Sequence, residues 1–229
     1  MIEVVATGGM PSDFDNSVFV NCPFDSRYIK LLRPLLFVII YFGHNPRIAT
    51  ETSDSGENRL SKICGLITSC RYSIHDLSRL RASKANEFYR MNMPFELGID
   101  FGTRLHGPSH LADKRFLILE KKAHDFKIAL SDLAGIDIKR HGDNPVEISR
   151  AVRDWYYETV GVDESRPEEY HWPSTVWSKF NEFITSLFED RLAAGVPEEE
   201  AKKDVERMPM AEFIDHAKSW VEAPRDLTA

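Results

Sequence analysis

The chain has 229 residues, 42% of them hydrophobic and 28% charged, with a formal net charge of -7. That composition supports a packed core and excludes global disorder; the acidic balance argues against binding a nucleic-acid backbone or an anionic membrane, since both need a positive surface. Three cysteines (Cys22, Cys64 and Cys70) leave one over in any paired framework and lack zinc-site spacing, so no metal is expected and a reducing cytoplasm is the expected location.

Met1–Met10 has neither the basic nor the apolar stretch of a secretion signal, and residues 1–16, with Gly8-Gly9 and Pro11, read as a loose leader. Ser17–Asn21 is a β-branched run that stops at Cys22-Pro23, the first strand. Ser26–Phe42 carries Leu31, Leu32, Leu35, Leu36, Ile39 and Phe42 at helical spacing, with Gly43 as its stop. Pro34 inside this pattern predicts a late start or a kink. The apolar part of that segment is too short to span a membrane and reads as a buried helix. Pro46–Thr50 is the second strand, followed by the polar loop Glu51–Glu57 and a helix bearing Leu60, Ile63, Cys64 and Ile67. Arg71–His75 forms a third strand ending at Asp76, and Arg79–Arg90 is polar and irregular. A helix opens at Asn92-Met-Pro-Phe-Glu96, with Asn92 or Met93 near its cap and Pro94 in its first turn. Arg115–Leu119 is the clearest buried strand, a fifth is read around Ile136-Asp-Ile138, and Val146–Val160 is an amphipathic helix. Past Gly161 come the acidic linker Asp163–Tyr170 and three helical patterns, Ser174–Ala194, Glu198–Arg207 and Pro209–Val221.

Strands alternating with helices predict an α/β domain over residues 17–161, a parallel sheet of four to five strands with helices on both faces, and a helical C-terminal extension over 162–229. In such a sheet ligands bind outside the carboxyl ends of the strands. Those ends are Asn21-Cys-Pro-Phe-Asp25, Glu51–Glu57, His75–Ser78 and the loop after Leu119, and they are expected to form one cleft. Asp76 and Glu96 stand out there, with Ser78, Asn92 and His75 as polar company. The chain has no G-x-x-x-x-G-K-[ST], no G-x-G-x-x-G after a strand and no G-x-S-x-G, which excludes the P-loop, standard dinucleotide-oxidoreductase and α/β-hydrolase readings.

Three segments, Val18-Phe-Val-Asn-Cys-Pro-Phe24, Ile74-His-Asp-Leu-Ser78 and Asn92-Met-Pro-Phe-Glu-Leu-Gly98, together resemble the prokaryotic nucleoside 2-deoxyribosyltransferase-like and TIR-like superfamily over about residues 17–160. The resemblance implies a flavodoxin-like sheet, Glu96 as the catalytic carboxylate and Asp76 as the group that helps place the ribose or base. Asn21, Pro23, Phe24, Asp25, Glu51, Ser78 and Asn92 complete the expected substrate-binding set. It implies cleavage or transfer at the N-glycosidic bond of a nucleotide, NAD first and a nucleoside monophosphate second, with the nucleotide as substrate and no separate cofactor. Homo-oligomeric assembly and a part in bacterial defence are further implications. The chain departs from the pattern in the long stretch Arg79–Arg90 and in Pro94-Phe95 before the glutamate. The alternative expectation is a non-catalytic module that binds a nucleotide signal or a partner protein on the same scaffold.

The chemistry follows from the residues as well. Breaking a ribosyl N-glycosidic bond passes through an oxocarbenium-like state that a carboxylate beneath C1′ stabilises or captures. A helix N-terminus favours the ionised form, and Glu96 is expected in the first turn. A nicotinamide leaving group needs no acid, whereas a neutral base needs a donor such as His75 or Asp76. The ordinary readings stand beside these: a first-turn acid complementing the helix dipole, Asp76 as a turn residue, His75 satisfied by its neighbours, and Cys22 as a small apolar filler. Arg59 with Lys62, the Glu51–Glu57 loop and the Lys121–His124 run read as solvated surface, and Trp172, Trp177, Phe180 and Phe183 as packing.

Overall fold

The computed structural model describes residues 11–79 and 91–223; the leader up to residue 10 and the irregular stretch from 80 to 90 lie outside the described residues. Five parallel strands, β1 (Ser17–Asn21), β2 (Asn45–Ile48), β3 (Tyr72–Asp76), β4 (Arg115–Glu120) and β5 (Lys139–Arg140), form one sheet in the order β2-β1-β3-β4-β5. This is the flavodoxin-like arrangement, with the chain reversing its direction of sheet growth between β1 and β3. In register, Val18 stands beside Tyr72, Val20 beside Ile74, and Ile74 beside Leu117. Alternation along each strand sends these residues to one face and Phe19, Ser73, His75 and Ile118 to the other.

The first face is covered by α2 (Ile29–Tyr41) and α6 (Pro145–Trp155), the second by α3 (Arg59–Thr68) and α4 (Asn92–His106). Every residue of α2 from Leu31 to Tyr41 is buried, because a further helical layer, α7 (Pro173–Ala193), α8 (Glu198–Arg207) and α9 (Met210–Glu222), closes over its outer side. A helix without a polar face needs apolar partners all round. Phe37 stacks on Phe183 at 5.5 Å between centroids and meets the edges of Phe180 and Trp220 at 5.6 and 5.8 Å. Arg33 is the polar exception on α2. It donates to the carbonyls of Glu206 and Met208 at 3.1 and 3.3 Å, which terminates α8, and lies over the Phe213 ring.

Several expectations shift. The second helix starts late, at Ile29, and runs through Pro34. β5 is two residues long and lies past the expected Ile136–Ile138, because it pairs with β4 only at Leu119–Lys139 and Glu120–Arg140. Ile136 and Ile138 instead pack beside a small apolar cluster containing Leu97, Ile118 and Phe126, the last belonging to the short α5 (Phe126–Ala129). Pro11–Asp15 forms a one-turn helix, α1; the Phe14 carbonyl accepts from Arg71 N at 3.0 Å and Asp15 pairs with the Arg71 guanidinium at 3.0 Å. Among the described residues no helix is long and apolar enough to cross a membrane.

Candidate functional site

The chain leaves β1 through Cys22-Pro23 and turns at Asp25, whose Oδ1 accepts from the backbone N–H of Arg27 and Tyr28, both at 3.1 Å. The turn delivers Tyr28 into the protein as the residue before α2, fully buried, with its hydroxyl donating to Asp76 at the end of β3. The other oxygen of Asp76 accepts from Ser78 N at 2.8 Å and from the Ser78 hydroxyl. His141, just past β5, brings Nε2 to 3.1 Å from Asp76 Oδ2 without the alignment of a full hydrogen bond. Its Nδ1 accepts from Asp143 N at 3.1 Å, which leaves the ring proton on Nε2, facing the carboxylate. Burial, followed by the negative charge of Asp76, holds the Tyr28 phenol well above its ordinary pKa, so it remains a donor. Asp76 therefore acts as a hub that fixes the loops after β1, β3 and β5 on the α2 side of the sheet.

His75, one residue earlier, points to the opposite face. Its Nδ1 sits 3.0 Å from Asn21 Nδ2 and its Nε2 3.1 Å from Asp100 Oδ2 on α4, while Asp100 Oδ1 lies 3.2 Å from the Lys114 ammonium. All four side chains are buried. Burial raises the Asp100 pKa, but the His75 hydrogen bond and charge, with Lys114, more than offset it and hold the carboxyl below its usual range. Asn21 also donates to the Met93 carbonyl at 2.9 Å, pinning the start of α4 to β1. The expectation of one cleft containing Asn21, His75 and Asp76 together is thus corrected: the two-residue period of β3 puts His75 and Asp76 on opposite faces.

Glu96 is the fifth residue of α4, in its second turn, not the first turn as expected. It is 7% exposed, and burial pushes its pKa up to about 7 against a partial opposing pull from the Arg59 guanidinium. An ionised group held by a helix N-terminus is therefore replaced by a buried carboxyl in mixed protonation at neutral pH. Among the described residues no hydrogen bond or ion pair reaches its oxygens. The Cys22 thiol is pushed well above its ordinary pKa by burial and then by the charges of Asp76, Glu96 and Asp25, so these carboxylates gather around the end of β1 and Cys22 remains a neutral thiol.

The rest of the expected set divides. Pro23 is buried and Phe24, half-buried, packs between the clusters on the two faces. Glu51 is occupied by Arg47, which donates to it through Nε at 3.0 Å and through a terminal nitrogen at 2.7 Å, and it also accepts from Ile48 N. The Glu51 carboxylate is thus engaged at the end of β2. Asn92 is exposed at the start of α4.

A cleft of about 460 Å3 opens at the carboxyl end on the α2 side, lined by Ser26, Arg27, Lys30, Arg79, Lys121 and Asp143. None of the expected catalytic or substrate-binding residues lines it, although Asp25 reaches Arg79 at 3.4 Å from behind. Lys121, expected to be merely solvated, faces this cleft and lies 3.3 Å from Asp143. The residues missed from sequence are Tyr28 and His141, which hold Asp76, and the four cations. The usable signal was placement, since each cation lies within a few residues of a strand's carboxyl end or on the helix that follows. Among the described residues no group of His, Cys, Asp and Glu could hold a metal ion. Compared with family models, curated proteins and solved structures, the chain matches none.

Proposed function

We propose that the protein cleaves or transfers at the N-glycosidic bond of a nucleotide, with Glu96 as the carboxylate that meets the developing charge at C1′. The observation that carries this reading is the buried Glu96 carboxyl, without a counter-ion in contact among the described residues and with its pKa near 7, at the carboxyl end of a flavodoxin-like sheet. A folded chain tolerates an uncompensated buried acid poorly unless it has a use. The resemblance of the Asn92–Gly98 and Ile74–Ser78 segments to deoxyribosyltransferase-like and TIR-like proteins supports the same assignment. In its ionised form Glu96 stabilises or captures the oxocarbenium, which suffices when the leaving base is cationic, as in NAD; in its protonated form it can donate to a neutral base. Asp76, with its oxygens held by Tyr28, Ser78 and His141, is a positioning residue in this scheme. Free cysteines and the lack of a membrane-crossing helix among the described residues agree with a cytoplasmic setting, and homo-oligomeric assembly belongs to the same proposal.

The test is incubation of the purified protein with NAD and a panel of nucleoside monophosphates, followed by chromatography for free base. Glu96→Gln is expected to lower release by at least about a hundredfold; equal release from that variant removes Glu96 from the chemistry. The second reading, a module that binds a nucleotide without cleaving it, is favoured by one observation: Glu96 does not line the basic cleft. Nucleotide binding without base release from any member of the panel selects it.

A further inference from the structure

We propose that the cleft between the start of α2 and the loops after β3, β4 and β5 is a phosphate site that takes the diphosphate group of a nucleotide. This deepens the reading above by naming a substrate class, yet it needs no chemistry at Glu96. Among the described residues four cations, Arg27, Lys30, Arg79 and Lys121, line the cleft against one lining carboxylate, Asp143, in a chain whose net charge is -7. They come from three segments, the start of α2 and the loops after β3 and β4, so the concentration of charge is a product of the fold and not of a basic run in the sequence. Arg79 reaches Asp25 at 3.4 Å and Lys121 reaches Asp143 at 3.3 Å, while among the described residues neither Arg27 nor Lys30 has a carboxylate partner for its side chain. Like charges around a concave surface raise each other's energy and draw in an anion.

The backbone adds to this. The α2 helix has no acidic residue in its first turn and no side-chain cap from Tyr28; Asp25 Oδ1 takes the N–H groups of Arg27 and Tyr28 just ahead of it, and the positive end of the helix, flanked by Ser26, Arg27 and Lys30, adds to the field of the cleft. A volume of about 460 Å3 lies within the range of small-molecule sites and exceeds what a single phosphate fills. Four cations spread over three segments match the several oxygens of a diphosphate better than one point charge. Asp143 already behaves as a stand-in anion. Its partial burial raises its pKa, but Lys121, Lys30 and Arg79 together hold it below the ordinary carboxylate range.

Titration calorimetry of the full chain with inorganic pyrophosphate, ADP and adenosine at about 0.15 M salt tests the site. Pyrophosphate and ADP are expected to bind and adenosine not to bind. The double substitution Arg27→Ala with Lys30→Ala, at exposed positions, is expected to weaken pyrophosphate binding by at least about tenfold. Asp143→Asn removes the competing anion at a left-handed position (φ 64°) that asparagine tolerates, and is expected to tighten binding severalfold, a gain that misfolding could not produce. Adenosine binding as well as ADP, binding that survives the double substitution, or no tightening with Asp143→Asn overturns the proposal. Pyrophosphate binding that follows these variants in a protein that releases no base leaves the phosphate site standing and ends the glycosidic reading. Equal base release from unphosphorylated nucleosides and from NAD does the reverse.

Discussion

Glu96 carries two separable consequences of one titration. Its pKa is raised in the folded chain to about 7, so the native state holds this proton more tightly than the unfolded chain does. Rising pH therefore costs stability from the ordinary carboxylate range up to about 7, and the cost is fully present above that. Glu96→Gln is accordingly expected to raise the melting temperature by roughly 3 °C or more at pH 8 and to leave it nearly unchanged at pH 4, as read by circular dichroism. The same pKa sets the sign of a rate profile. Under the proposed function, nicotinamide release from NAD is expected to climb as pH rises through 7, because the ionised carboxylate would do that work, and release of a neutral base is expected to fall. Residue identity was legible here, but state was not: the sequence puts an acid near a helix start, whereas the second-turn position and the burial that neutralises it depend on how α4 is rolled against α3 and the sheet.

The face covered by α3 and α4 is tied together by polar groups as well as by apolar packing. Lys114, fully buried just before β4, donates to the carbonyl of Ile67 at 2.7 Å and to that of Cys70 at the end of α3, and pairs with Asp100 of α4. One ammonium thus fixes both helices to the start of a central strand. Lys114→Met leaves the buried Asp100 without its ammonium partner, and urea denaturation is expected to show a loss of about 3–5 kcal/mol. Adding Asp100→Asn to that variant should recover part of the loss, because the two changes share one interaction. Strand existence was readable from apolar runs, most clearly in β4, where the expected Arg115–Leu119 differs from the observed strand by one residue. β5 was misplaced because its two residues, Lys139 and Arg140, are charged and pair only at the sheet edge, so neither hydropathy nor alternation marks them.

At the scale of the whole molecule, α2 joins the sheet and the C-terminal helices into one apolar core. Residues from β1, β3, β4, α2, α6, α7 and α9 belong to a single buried cluster. Phe183, fully buried, lies at its centre between Phe37, Phe213 and Trp220. Phe183→Ala is expected to cost about 3–5 kcal/mol. Calorimetry should show a single transition moving to lower temperature; two separated transitions would mean that the helical layer melts by itself. The missing polar face between Leu31 and Tyr41 already announced a helix covered on all sides, although nothing local identified α7 and α9 as the cover.

By itself the sequence determined the α/β alternation, the parallel sheet and the helical character of the C-terminal third, because hydrophobic periodicity and turn residues act over a few positions at a time. It also marked Asp76 and Glu96 as polar groups at strand and helix ends. Only the tertiary structure decided that Asp76 is held by Tyr28 and His141, that His75 faces away from it, and that Arg27, Lys30, Arg79 and Lys121 meet around one cleft. Those outcomes depend on strand register and on loops brought together from residues 25 to 143, and a charge or carboxylate acquires its partners and its pKa only when such distant segments meet.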